Sequence, residues 1–168
     1  MKMRGNDAAV QVLRLAVNAV ILFLALIAAA VVILTVCGIR PYVVLTGSMA
    51  PQIPVGSVCL VNQRCGTEGI QSGDVITFCD HGGAVVTHRA VRIQDGCIYT
   101  MGDANQVEDE TAVTAENFIG KCVLSIPKIG FIVRFIRSPL GNVTAAAFIT
   151  LLILADRILD RLKPRRSS

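Results

Sequence analysis

"GDVITFCDHGGAVVTHRAVRIQDGCIYTM", residues 73–101, sets three β-branched runs between two tight turns. Asp74–Cys79 is the first run, introduced by Ser72-Gly73. The "DHGG" turn at Asp80–Gly83 leads into the Val-rich Ala84–Ile93. The "QDG" turn at Gln94–Gly96 leads into Cys97–Met101. Two further runs lie outside this block: Ser57–Asn62, bounded by Gly56 and by Arg64–Gly66, and Ile119–Ile126. Short β-branched runs separated at close spacing by Gly/Asp turns predict a mainly β domain, an antiparallel sheet or small barrel. Between Gly102 and Asn117 lies a polar, acidic loop without periodicity.

Outward from this domain the composition changes. Leu15 to Cys37 is an apolar run broken only by Asn18 and Thr35. At ~1.5 Å per residue it is long enough to cross a ~30 Å hydrocarbon core. A cleavable leader would also begin with basic residues such as Lys2, Arg4 and Arg14. Its apolar core, however, is typically ~7–15 residues, and here the run continues past the small Ala28–Ala30, so a retained anchor is expected. Pro139 to Ala155 is a shorter apolar stretch stopped by Asp156 and Arg157, readable as a second span or as an interfacial or buried helix. The tail Arg157, Arg161, Lys163, Arg165 and Arg166 favours the span, because basic flanks stay cytoplasmic. "IGFIVRFI", Ile129–Ile136, suits either an interfacial helix with snorkelling arginines or a last core strand.

The expected organisation is therefore a cytoplasmic leader over 1–14, a transmembrane helix over 15–37 and an extracytoplasmic β-rich domain over 38–138. A second transmembrane helix follows over 139–155, then a basic cytoplasmic tail over 156–168. The formal charge of +4 lies in the tails, since residues 40–138 carry eight basic and nine acidic side chains. That distribution argues against nucleic acid and points to the lipid bilayer as a partner. Of six cysteines, no pair has the CxxC spacing of a zinc or redox site, so no metal is expected. Cys59 and Cys65 flank a turn and could pair in an oxidising compartment, but small buried cysteines are also ordinary strand residues.

A serine hydroxyl becomes a nucleophile only beside a base, with donors for the oxyanion that forms. "LTGSMAPQIPVG", Leu45–Gly56, sets Ser48 among small residues just past the first apolar run. Pro51 and Pro54 stiffen the loop beyond the serine, because proline fixes φ. The chain has two histidines: His88 in mid-strand, where a polar residue needs a reason, and His81 in a solvated turn. Acids are available in "GDANQVEDE", Gly102–Glu110, including Asp103 and Asp109; a run of acids in a loop is more often a solvated face.

"TGSMAP" with Ser48, Met49 and Pro51 resembles the serine box of type I signal peptidases. "GDVITF" is similar to the strand after that box, "THR" to the base box, "GDANQVED" to the acidic box, and "IGKCVLSIPKIGFIVRF" to the last strand and exit segment. The resemblance covers about Pro41 to Pro139, with the boxes in order. His88 stands where the common bacterial enzymes carry lysine, which resembles the endoplasmic-reticulum, archaeal and spore-former branch; "PYVVLTGSMAP" and a second C-terminal span look most like the spore-former type. The resemblance implies a membrane-bound serine endopeptidase that removes signal peptides from preproteins after small residues, with no cofactor. It implies Ser48 as nucleophile, His88 as base and Asp109 as the acid that orients it. Asp103 would support or share that role, the Ser48 N–H would serve the oxyanion, and Thr46 would be a second donor. Glu108 and Glu110 are expected to be surface charges and Asp74 structural. The rival readings are a non-catalytic membrane-anchored scaffold of the same fold and a membrane-anchored β-domain that binds an envelope partner.

Overall fold

The computed structural model describes residues 3–161; Lys2 and the tail residues Lys163, Arg165 and Arg166 lie outside them. Two compact units are present, one built from the two chain ends and one from Leu34–Phe135. In the first unit, helix α1 runs over Met3–Val36, extending the apolar segment back into the leader. Its Leu22, Phe23, Leu26, Val32 and Ile33 are exposed, an apolar surface that water would not tolerate over such a length. Among the described residues, Val10–Val36 is the one helix long and apolar enough on its own to cross a membrane. Pro139–Arg161 forms the C-terminal helix, here α3.

The central unit carries six strands: β1 (Ile39–Val43), β2 (Val58–Asn62), β3 (Val75–Cys79), β4 (Val85–Gln94), β5 (Cys97–Met101) and β6 (Phe118–Ile126). They form one sheet in the order β1-β2-β6-β3-β4-β5, and every neighbouring pair is antiparallel. The sheet is mainly β as expected, and it is open, with β1 and β5 at its edges. The five runs read from the sequence recur within one residue at each end. β1 was not anticipated, because Pro41 sits inside it; an edge strand tolerates proline, since one row of its backbone groups has no ladder to join.

Two apolar clusters hold the sheet. Ile70, Ile76, Phe78, Ala90, Ile98 and Val113 form one; Val44, Met49, Ile53, Cys59 and Val61 form the other. Inward polar residues are paired: Thr77 and Thr87 sit opposite one another with their hydroxyls 2.9 Å apart. Cys59 packs in the second cluster while Cys65 packs against the first, so the suggested pairing of these two across their turn does not form. Ile129–Arg137 is a helix, α2, which removes the alternative of a last core strand. It begins against the domain, with the Gly130 N–H donating to Gly56 O at 2.9 Å. Gly56 has φ +82°, and any Cβ there would lie 2.3 Å from the Phe131 ring, so only glycine lets α2 close on this loop.

Candidate active site

The loop from Val44 to Ser57 is pinned at both ends and in its middle. Val44 N donates to Ser57 O and Gly56 N donates to Val44 O, each at 2.9 Å. Met49, only 1% exposed, drops into the apolar cluster with Val44 and Ile53, so burial of one side chain fixes the backbone beside Ser48. Ser48 itself is half-buried, and its Oγ lies 3.4 Å from Thr46 Oγ1. No backbone or side-chain acceptor among the described residues takes the Ser48 N–H.

The second part comes from β4. His88 is 7% exposed, opposite Ile76 of β3, with the Phe78 ring edge-on at a centroid distance of 6.4 Å. Its Nδ1 lies 2.6 Å from Asp109 Oδ2. An ionised carboxylate can only accept, so Nδ1 carries the proton and donates it, and Nε2 is left with a lone pair in the neutral ring. Asp109 Oδ2 also accepts from Thr100 Oγ1 at 2.6 Å, and the Asp109 N–H donates to Thr100 O at 2.8 Å. Thr100 thus holds the carboxylate by backbone and side chain together. The sequence reading did not single it out; Thr100 is fully buried in β5, which only the folded sheet reveals.

Asp103 lies elsewhere. Both of its oxygens accept from Arg89, Oδ1 from Nε at 2.8 Å and Oδ2 from Nη2 at 2.7 Å, while Arg89 Nη1 donates to Gly73 O at 2.7 Å. Hydrogen bonding to Asp103 raises the Arg89 pKa further above its ordinary value. Asp103 therefore does not share the contact with His88; it ties the start of the acidic loop to β4 one residue past the histidine. Next to it, Ala104 N donates to Ser48 O at 2.8 Å. A Cβ on Gly102 would lie 2.6 Å from that same carbonyl oxygen. Gly102 is absent from the candidate residues read in the sequence, although a glycine before an aspartate at a strand end marked the place.

Gly102→Ala is expected to push the serine loop away. The clash is with backbone, which cannot swing aside as a side-chain tip would. A displacement near 1 Å can cost ~10²-fold in rate, so any reaction that uses the Ser48 hydroxyl should slow by at least ten-fold while the melting transition shows a folded domain. Unchanged turnover would mean that the Gly102 contact does not set the position of Ser48.

Ser48, Thr46 and His88 line one open groove of about 700 Å3, walled by Tyr42–Leu45 on one side and Ala84–Thr87 on the other. The lining is mostly apolar. His81 is exposed in the turn after β3 and is not part of this wall. Glu108 pairs with Arg92 at 3.1 Å on the surface, Glu110 is exposed, and Asp74 accepts from Lys121 Nζ at 2.7 Å and from Gln71 N at 3.0 Å. Burial alone would raise the Asp74 carboxyl pKa, but Lys121 and the Gln71 N–H outweigh it and hold it below the usual value.

Residues 16–87 match the family model described as signal peptidase, peptidase S26. The match takes in Ser48 and ends just before His88. Signal peptidase I W of Bacillus subtilis (strain 168) is 41% identical over 78 residues, which cover 44% of this chain and 41% of that relative. The chain thus spans well under two thirds of the length of the curated relative it matches.

Proposed function

From its kinship with the type I signal peptidases, we propose that this chain is a membrane-anchored serine endopeptidase that cuts signal peptides from preproteins. The observation that carries the reading is the line of groups from Asp109 through His88 to the groove shared with Ser48. Ser48 Oγ is the nucleophile. His88 Nε2 takes its proton as the new C–O bond forms, and Asp109 holds the ring and stabilises the imidazolium that results. The tetrahedral oxyanion is met by the free Ser48 N–H, with the Thr46 hydroxyl as a second donor. His88 then passes its proton to the leaving amine, and water repeats the sequence on the acyl-enzyme. Asp103 acts at one remove: with Arg89 it holds the Gly102–Ala104 turn, which grips the Ser48 carbonyl.

Substrate enters as an extended strand. The unpaired edge of β1 runs into the groove wall at Tyr42–Leu45 and offers backbone groups for such a strand. With backbones that close, alternate side chains of the substrate meet shallow apolar walls, which fits small residues at the cleaved position and two positions before it. Preproteins varied only at the cleaved position should be processed fast with alanine and at least ten-fold slower with a bulky residue. Equal rates would remove this account of the groove.

A signal peptide is cut just past an apolar helix, so the serine has to work at the outer membrane surface. We place α1 as the anchor, α3 as a second span and the basic ends in the cytoplasm. α2, with Phe131, Ile132, Phe135 and Ile136 exposed and Arg134 beside them, suits the headgroup layer. Single-cysteine variants probed from outside intact cells should label within the sheet domain and stay unlabelled in the tail over 156–168. Labelling in that tail would remove the second span.

A further inference from the structure

Cys59 on β2 and Cys122 on β6 are neighbours across two paired strands. Leu60 faces Leu124, but Val61 already faces Cys122, so Val123 is an extra residue in β6. Such a bulge turns Val123 and Leu124 both outward, and both are exposed. Opposed residues share a face, so Cys122 lies on the face of Val61, and Cys59, two residues before Val61, lies there too. Cys59 lies in the same apolar cluster as Met49 and Ile53 and Cys122 packs against it, with the Cys122 thiol donating to Leu124 O at 3.6 Å. The neighbouring Cys122 and burial raise the Cys59 pKa, whereas the neighbouring Cys59 lowers that of Cys122 against the opposing effect of burial. Cys122 also lines a small groove with Gln52, Val75 and Arg89, which gives solutes a way in.

We propose that Cys59 and Cys122 are a reactive dithiol that a disulfide-bearing oxidant, such as an extracytoplasmic thiol oxidase, closes into a cross-strand disulfide between β2 and β6. The Cys122 thiolate attacks one sulfur of the oxidant's disulfide and releases the other as a thiolate, forming a mixed disulfide. Cys59, losing its proton, then attacks Cys122 Sγ and expels the second oxidant sulfur. The two protons end on the oxidant, which leaves as a dithiol. The bond would staple the floor under the Ser48 loop, because Met49 and Ile53 rest on the same cluster. It joins residues far apart in sequence, the case in which a cross-link restricts the unfolded chain most.

Closure inside cells rests on the extracytoplasmic placement in the proposed function; a test on purified protein does not. Purified full-length chain in detergent is incubated with glutathione disulfide, capped with a maleimide and digested without reduction. A linked Cys59–Cys122 peptide, two hydrogens lighter than its parts and lost on reduction, is the expected product. Oxidised protein should also melt several degrees above reduced protein, with the difference abolished in Cys122→Ser. Cys59 remaining free to the maleimide, Cys122 held only as a glutathione adduct or joined to another cysteine, or identical melting of the two forms would overturn the proposal. None of these readouts measures cleavage, so a peptidase without the staple, or a staple without the peptidase, would be recognised as such.

Discussion

Ser48→Ala is expected to abolish cleavage and to leave the fold intact. The hydroxyl makes one long contact, 3.4 Å to Thr46 Oγ1, and its loop is held by Met49 and by the backbone, so truncation costs little stability. The rate is another matter. Without the nucleophile no acyl-enzyme forms, and loss of the serine from such a unit costs ~10⁶-fold in kcat. A serine-directed phosphonate should label the wild-type chain once, at Ser48, and leave the variant unlabelled. A variant that keeps a tenth of its activity would exclude Ser48 as nucleophile.

His88→Ala is expected to fall by several orders of magnitude, His81→Ala to stay within a few-fold of wild type. The two histidines differ in what surrounds them: His88 is buried between Phe78 and Asp109, whereas His81 stands exposed in a turn. Asp109→Asn keeps the shape but can no longer hold Nδ1 as a donor to a charge, and in a triad this change costs ~10⁴-fold. His88→Lys should not rescue, because a lysine base must be desolvated to lose its proton near neutrality, and this site already points a carboxylate at the position. A dead His81→Ala beside an active His88→Ala would reverse the assignment of the base.

The strands were legible because the runs are short and β-branched and most are bounded by Gly/Asp turns, a local signal that tertiary packing had no cause to override. β1 was hidden by Pro41, whose meaning depends on whether the strand is central or at an edge, and that is a fact of the assembled sheet. The same limit applied to the two aspartates. Asp103 and Asp109 look alike in an acidic loop, and what separates them is that β4 turns Arg89 toward one and His88 toward the other on alternate sides of the strand. Thr100 and Gly102 stayed unseen for a related reason. One acts by a hydroxyl on a buried carboxylate and the other by lacking a side chain, and neither has a motif of its own. For the cysteines, nearness in sequence offered Cys59 with Cys65 as one possibility, while the bulge in β6 puts Cys122 on the same face as Cys59.

The central claim is that Ser48, His88 and Asp109 form one peptidase site that acts on signal peptides. Its most direct measurement is cleavage of a purified reporter preprotein by the purified full chain in detergent, with the new N-terminus sequenced. The account predicts a single cut after a small residue past the apolar segment, absent with Ser48→Ala and with His88→Ala. An intact preprotein under conditions where the chain is folded and anchored, or a cut that survives Ser48→Ala, would contradict it.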